Sequence, residues 1–554
     1  MKSDYTFRGK MCLLSAMLLA STLPVNAKSL TIETETEGTL AEKISETDKW
    51  EVTELKVSGP LNAFDFRTLR EMSGCDLMGE PTEGKLKKLD LADATIIGYK
   101  EELPPDDQSY FIDHGGGLMW FIGKDNRFNS NLFYRCTSLE ELTLPTTAYV
   151  EEALTGMENL NTISVSDESQ QLATIGNVLY SKDKTILYYC PPLSAETSVT
   201  APSETQTVCA NSFTSVENLE SLTLSNVRSV QTYAISYCYN LKSITFGNQL
   251  EELQQQGIFG NTQLESVTVA ADNPYYKNIG TALTDKEGKV LYLYPADGSI
   301  SEITLPDGIE TIEPGALCLP TAKTINLANS VRTVKTYAFM NCIATERVYL
   351  GTGVETLEPD FAFNMASLTE YVVDAGNPNY QAIDGAIYSK DGKRCVFLPG
   401  GRTEFSIAEG TTSLDLTCLG SINKNIQRLT LPSTLTDCQT LCYSYPSLTA
   451  IYCKATTPPA GNSYPLPPYN VANITLFVPV GTLGDYQESR QWSIFTNIQE
   501  YDFAGITSVT PENEAYEVER YSIDGKRLPA PAPGLNIVKM SDGTVQKIWV
   551  PERR

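Results

Sequence analysis

Apolar residues recur along most of this chain in a short alternating pattern, L-x-x-[ILV]-x-[LFV]. It is clear at Leu139-Glu-Glu-Leu142-Thr-Leu144, Leu160-Asn-Thr-Ile163-Ser-Val165, Leu219-Glu-Ser-Leu222-Thr-Leu224, Leu241-Lys-Ser-Ile244-Thr-Phe246 and Leu264-Glu-Ser-Val267-Thr-Val269. Weaker copies centre on Ile303, Ile325, Val348, Tyr371, Leu429 and Ile451. Period-two alternation over so short a run predicts a strand with one buried and one solvated face. The centres lie 21 residues apart from Leu142 to Ile163, 22 from Leu222 to Ile244, 23 from Ile244 to Val267 and 22 from Leu429 to Ile451. A period in the low twenties is the signal of leucine-rich repeats, in which no unit buries its apolar face alone and stacking supplies the core.

Three intervals are longer. Ile163 to Val199, Val267 to Ile303 and Tyr371 to Ile407 each span 36 residues. Each contains a related insertion: Asn177-Val-Leu-Tyr-Ser-Lys-Asp-Lys, Thr281-Ala-Leu-Thr-Asp-Lys-Glu-Gly and Gly385-Ala-Ile-Tyr-Ser-Lys-Asp-Gly. Two β-prone runs around a polar turn predict a β-hairpin in each. Ile163, Val267 and Tyr371 are 104 residues apart, so a four-repeat block with one insert is duplicated. Strands stacked about 4.8 Å apart would form one continuous sheet, with hairpins projecting roughly every 20 Å.

Between strands, the return segment Tyr337-Ala338-Phe339-Met340-Asn341-Cys342 is the clearest copy of an Ala-Phe-x-x-Cys element. With the Leu-Pro pairs at 144–145, 305–306 and 431–432 and the inserts, it resembles the BspA-like leucine-rich repeats of Bacteroidetes surface proteins, over roughly residues 50–500. The segment Leu476-Phe-Val-Pro479-Val-Gly481 with Trp492-Ser-Ile-Phe495 is similar to one that ends many such arrays. The fold expected is a right-handed leucine-rich-repeat solenoid, mostly β, with one short parallel strand per repeat and short helical or irregular returns. The resemblance implies adhesion to host or neighbouring-cell molecules.

The ends complete the organisation. Basic residues Lys2, Arg8 and Lys10, an apolar run to Ala20 and Val25-Asn-Ala27 form a secretory signal-peptide pattern over 1–27, without a lipidation box at Cys12. Residues 28–117 read as an N-terminal cap with irregular first repeats, 118–455 as the array, 456–500 as its C-terminal cap, and 501–554 as a β tail. The tail resembles the C-terminal domains that serve as sorting signals on some exported Bacteroidetes proteins; a small β-hairpin cap is the other reading.

Composition narrows the chemistry. The net charge of −26 argues against nucleic-acid or anionic-membrane binding. Thirteen cysteines leave twelve after the signal segment, but Cys136, Cys238 and Cys342 each sit six residues before a strand centre. Lattice members several repeats apart cannot bridge, so they are expected as buried free thiols; Cys438 and Cys442, close in sequence, are the exception. The single His114, in Asp113-His-Gly-Gly-Gly near Asp106-Asp107, lacks the companions a zinc site or a nucleophile-His system needs and reads as a surface loop. No phosphate-loop, dinucleotide, zincin or hydrolase-elbow motif occurs. The acidic turns at Lys182-Asp183, Asp285-Lys-Glu287-Gly and Lys390-Asp391-Gly lack a calcium-loop ligand series and read as turn chemistry. No catalytic residue, metal or cofactor is expected.

The exposed strand column is the best candidate for binding. The residue after each centre reads Thr143, Ser164, Thr200, Thr223, Thr245, Thr268 and Thr304, a hydroxyl column that β propensity explains, then Asn326, Tyr349, Val372, Ala408, Thr430 and Tyr452. Near the C-terminal end, Arg347, Tyr349, Glu370, Arg428 and Tyr452 are of types enriched in contact hot spots and are taken as the candidate ligand-binding residues. Tyrosines near the inserts (Tyr180, Tyr188, Tyr276, Tyr292, Tyr380, Tyr388) are a second candidate surface. Two function classes follow: a secreted or surface binding protein for an extracellular protein, or an exported glycan-capturing or glycan-cleaving protein that uses paired carboxylates in a deep cleft. A cell-envelope spacer without a ligand is a third.

Overall fold

Each copy of the alternating pattern forms one front strand, and successive strands pair in parallel at the same position of the repeat. Val199, Leu222, Ile244 and Val267 lie opposite one another across four strands. Leu142, Ile163, Leu222, Ile244 and Val348 are all 2% exposed or less, and each such burial contributes about 1.5–3 kcal/mol. The computed structural model describes residues 27–98, 112–113, 119–120, 124–295, 298–414, 425–438, 447–461, 471–503, 517–528, 530–540 and 545–550. The signal-peptide pattern through Asn26, Asp106-Asp107, His114 and Cys442 lie outside them. The described residues from 28 to 503 form a β-solenoid of about 18 turns with little helix.

After front strands such as Ser198–Thr200, Ser221–Leu224 and Ser243–Phe246 the chain forms a two-residue strand in a second parallel sheet, at Thr207–Val208, Ser229–Val230 and Glu252–Leu253. It then returns through left-handed residues, including Tyr233 and Tyr237 (φ 56° each), Tyr337 (61°) and Asn341 (63°). The N–H groups of Tyr233, Tyr237 and Asn341 donate to the next repeat, at Gln256 O, Phe259 O and Phe363 O. A ladder bond at each strained residue offsets the roughly 1–2 kcal/mol that a non-glycine pays there. Ala338, Phe339 and Cys342 of the return are wholly buried. Cys238 donates its thiol to Phe213 O (3.3 Å) and Cys342 to Leu317 O (2.8 Å), which satisfies both as small buried groups.

Each insert contains the expected hairpin, but the hairpin does not project. Each is an antiparallel three-stranded meander: Leu172–Ile175, Val178–Ser181 and Ile186–Tyr189; Tyr276–Ile279, Ala282–Asp285 and Val290–Leu293; Tyr380–Ile383, Ala386–Ser389 and Arg394–Phe397. The third strand starts the next stretch of second sheet, pairing in parallel with Thr207–Val208, Thr311–Ile312 or Ser413–Leu414. Consecutive residues of the middle strand, Val178-Leu179-Tyr180, Ala282-Leu283-Thr284 and Ala386-Ile387-Tyr388, are all buried. Neighbouring side chains point to opposite faces of a strand, so these strands are covered on both. Leu179 joins the preceding core while Val178 and Tyr180 join the following one; Ile387 and the pair Ala386 and Tyr388 divide the same way. The inserts are therefore partitions within the solenoid, and Tyr180 and Tyr388 are core residues.

This placement also breaks the front sheet, which was expected to be continuous. It splits into four, with strands Thr162–Val165, Ser266–Val269 and Glu370–Val373 ending the first three. The insert satisfies the edge that each leaves. Asn278 accepts from Val269 N (3.0 Å) and donates to Val267 O (2.8 Å), which is the work of a neighbouring strand's peptide group. Asn177 does the same for Ile163 N and Asn161 O, and in the third insert the Gly385 carbonyl takes Tyr371 N (2.8 Å).

A second correction concerns register. Phe405, not Ile407, lies opposite Leu429, so Ser406 rather than Ala408 occupies the solvent column. Phe405 and Ile407 both point inward, at 4% and 3% exposed, and two apolar residues at i and i+2 leave the centre ambiguous.

At the N-terminal end, helix Ala63–Met72 starts on a capping box of Asn62 and Asp65, and front strands Ser29–Glu33, Glu54–Leu61 and Lys88–Asp90 precede the regular repeats. At the other end, strands Thr475–Pro479 and Asn497–Tyr501 extend the last front sheet, and buried Trp492 donates to Pro459 O (2.9 Å). The tail is a three-stranded antiparallel sheet, Glu517–Ser522, Gly534–Met540 and Val545–Val550.

Two substitutions test this account. Asn377, wholly buried where the third insert begins, donates to Gly351 O and Val354 O and accepts from Asn379 N and Tyr380 N, all at 2.8–3.1 Å. Asn377→Ala strands these groups and is expected to cost about 3 kcal/mol, seen as a lower denaturant midpoint with faster amide exchange at 379 and 380. The tight turn of the first insert places Lys184 at φ 62°, where the other two have Gly288 and Gly392. Lys184→Gly is expected to raise stability by about 0.5–1 kcal/mol in the same unfolding measurement.

Candidate functional site

The solvent face of the front strands changes character along the solenoid. Over the first strands lies a shallow hollow of about 350 Å³, lined by Thr31, Lys56, Lys88, Asp90 and Thr143 among others. Its charges are paired, Lys56 with Asp93 in the turn after Lys88–Asp90 at 2.7 Å, and Lys88 with Glu141 on the neighbouring strand at 2.9 Å. The second front sheet presents Ser198 and Thr200, Ser221 and Thr223, Ser243 and Thr245, and Ser266 and Thr268 in two columns, with Thr268 donating to Thr245 at 3.3 Å.

The third sheet carries three of the sequence-selected residues. Arg347 and Glu370 face each other on adjacent strands and form an ion pair, and Tyr349, 36% exposed, stands between Asn326 and Val372. Arg428 and Tyr452 are on neighbouring strands of the fourth sheet, where Arg428 pairs with Glu404. The five therefore form two groups, one on each side of the third insert. At this seam Arg402 donates to Thr369 O (2.8 Å), pairs with Asp384 (3.0 Å) and lies over the Phe405 ring.

Tyr452 has neighbours that the repeat count did not reach. Phe477 lies directly opposite it, and their rings stack with centroids 4.6 Å apart and planes 11° from parallel. Tyr501 meets both edge-on, at 5.4 and 5.6 Å, and Phe503 packs 4.9 Å from Tyr501. All four rings are half-buried. The spacing of stacked rings is that of adjacent strands, so Tyr452 and Phe477 each cover one face of the other. The signal for this strip was present: Leu476-Phe477-Val478 and Ile498-Gln499 repeat the strand pattern, 22 residues apart from Leu476 to Ile498. Assigning 456–500 to a cap hid it.

Two shifted carboxyl groups elsewhere are tied into the fold. Among the described residues, the carboxyl group held above its usual range is Asp65, raised by burial despite accepting from Asn62 N, Leu40 N and Gly38 N. Asp183 accepts from the Ser181 and Thr185 hydroxyls and Thr185 N, and these bonds, the Ser181 hydroxyl first, hold its carboxyl low; it is a turn former. Among the described residues no group of three or more His, Cys, Asp or Glu is placed to hold a metal, and no helix is long and apolar enough to cross a membrane.

The BspA type leucine-rich-repeat family model matches in six copies, over residues 124–194, 188–279 and 292–389. No curated protein matches the chain. Similar solved structures include a leucine-rich repeat protein from Eubacterium ventriosum ATCC 27560, 16% identical, covering 65% of this chain and 93% of that one with a TM-score of 0.34. A leucine-rich cell surface protein from Faecalibacterium prausnitzii A2-165 is also 16% identical, covering 61% and 84%, with a TM-score of 0.34. A leucine-rich repeat protein from Bacteroides ovatus ATCC 8483 is 13% identical, covering 69% and 90%, with a TM-score of 0.23.

The cross-strand ion pairs are solvated, and such pairs add little to stability. Arg428→Ala is expected to shift the thermal midpoint by no more than about 2 °C, whereas Trp492→Ala, which empties the core at the C-terminal end, is expected to lower stability by about 3–5 kcal/mol. Paired thermal and denaturant melts check both.

Proposed function

We propose, from the premise that residues 124–279 and 292–389 are BspA-type leucine-rich repeats, that this chain is an exported, non-enzymatic binding protein. It recognises a protein partner on a host or neighbouring cell through the solvent face of its front strands, with the Tyr452, Phe477 and Tyr501 strip at the centre of contact. The observation that carries this reading is that strip: half-buried aromatic rings beside the Arg428–Glu404 pair, on an otherwise polar face. Anchoring aromatics with Arg at their rim is the composition of protein contact hot spots. Arg347, Tyr349 and Glu370 form a secondary contact across the insert, and residues 1–27 direct export.

The glycan reading has less support. Stacking on a sugar needs a free ring face, and Tyr452 and Phe477 each spend one of theirs on the other. Hydrolysis by paired carboxylates calls for a raised carboxyl in a cleft, and Asp65 is bound into the N-terminal cap by three backbone donors.

Residues 28–554 incubated with an array of extracellular-matrix proteins and polysaccharides, with retention and sugar release followed together, test the proposal. Saturable protein binding without released sugar is expected. Tyr452→Ala or Phe477→Ala should then weaken binding about tenfold or more, Tyr349→Ala less, and Thr223→Ala should leave it unchanged. Polysaccharide cleavage, or binding indifferent to the aromatic substitutions, would overturn it.

A further inference from the structure

The two ends of the solenoid are finished differently. Strand Ser29–Glu33 begins the first front sheet and, among the described residues, pairs only with Glu54–Leu61. Lys28 O accepts from Glu54 N, and Thr34 N donates to Ser58 O. In a parallel pair alternate residues turn both backbone groups to the same side, so Leu30 and Ile32 also face Glu54–Leu61, while Ser29, Thr31 and Glu33 face outward. Lys43 Nζ reaches Glu33 O (2.7 Å). Among the described residues no other group bonds to this backbone edge, and no asparagine covers it as Asn177 and Asn278 cover the inner breaks.

At the other end, Asn497–Tyr501 is the outermost strand of the fourth sheet. Glu500 lies opposite Val478 in the inward column, and its carboxylate accepts from Gly481 N (2.8 Å). An inward-pointing charge on an edge strand obstructs further pairing, and a head-to-tail contact with Leu30 set against Ile498 would bring Glu500 onto Ile32. The first edge carries no such device. Ser29–Glu33 has no proline, lysine or bulge; its inward residues are half-buried Leu30 and buried Ile32, and its solvent side is Ser29, Thr31 and Glu33. The strand is also self-complementary about Thr31. Paired antiparallel with itself, it sets Ser29 opposite Glu33 and Thr31 opposite Thr31 as the hydrogen-bonded pairs, and these are the residues whose groups are free. Leu30 then faces Ile32 in the closer, non-bonded pair on the core side, and no like charges are opposed within the pair.

We propose that strand Ser29–Glu33 is an interface for a second copy of this chain: two solenoids join head to head across a twofold axis at Thr31, and the front sheet runs through from one copy to the other. The inference rests on the export reading only for the removal of residues 1–27, which precede the strand. A closed twofold contact uses the same patch on both copies and stops at two, and the Glu500 end adds no further copy. A single five-residue strand is small beside the roughly 1,600 Å² of a standard stable interface, so the dimer exchanges with the monomer on dilution. Joined in this way, two C-terminal aromatic strips lie at opposite ends of one assembly, which makes the chain bivalent for its partner.

The test is sedimentation equilibrium of residues 28–554 from about 1 µM to about 500 µM, together with cross-linking of cysteine variants. Expected is a monomer–dimer equilibrium that Tyr452→Ala leaves unchanged. Thr31→Pro removes two bonds across the axis and should weaken association about tenfold or more. Opposed Thr31 residues have Cα atoms about 5.5 Å apart, within disulfide reach, whereas the two copies of Ser29 lie about 14 Å apart along the strands. Thr31→Cys should therefore oxidise in air to a covalent dimer at least about tenfold faster than Ser29→Cys. Circular dichroism checks folding; should Thr31→Pro fail that check, the cross-linking decides. A monomer throughout, association that folded Thr31→Pro leaves intact, equal cross-linking from Ser29→Cys, or assemblies growing beyond two copies would each overturn the proposal. Retention of single chains on an immobilised protein partner depends on Tyr452 and not on Thr31, so loss of the dimer and loss of the binding reading are seen separately.

Discussion

A parallel strand satisfies half of its backbone polar groups on each side, and the whole molecule is organised around keeping both sides occupied. Within a block the next repeat does this, which is why Leu222, Ile244 and Val267 stay in register and why the strained returns at Tyr233 and Tyr237 are tolerated. At a block boundary the next front strand is absent, and the side-chain amide of Asn177 or Asn278 stands in for it. An unpaired edge would cost the lost hydrogen bonds and invite pairing with another chain.

The partitions follow from the same requirement. An insert that only projected would leave the front edge bare and the core open at the break. By threading its middle strand across the solenoid, each insert closes one core with Leu179, Leu283 or Ile387 and opens the next with Val178, Ala282 or Ala386. Its third strand then seeds the following second sheet. Four short front sheets result, each with its own solvent face.

Within those limits the face is graded. Charges at the N-terminal hollow and on the third and fourth sheets are tied to partners on the next strand or turn, so they offer shape and polarity more than net field. The chain's −26 charge is a property of the whole molecule. On the front face, among the described residues, aromatic side chains gather at the C-terminal end, because strands Ala450–Cys453, Thr475–Pro479 and Asn497–Tyr501 bring Tyr452, Phe477 and Tyr501 together.

The sequence by itself determined the repeat, the strand centres, the inward position of Cys136, Cys238 and Cys342, and the duplicated blocks, because period-two alternation and a fixed repeat length are local properties written in residue order. It located the inserts but not their fate: Tyr180 and Tyr388 have the same β-prone neighbours whether a hairpin projects or is buried on both faces. Register at Phe405 was undecidable from a pattern with inward residues at both i and i+2. Tyr452 was legible as a candidate, while its stacking on Phe477 depends on which strands become neighbours. That is a matter of long-range pairing, and only the tertiary structure decided it.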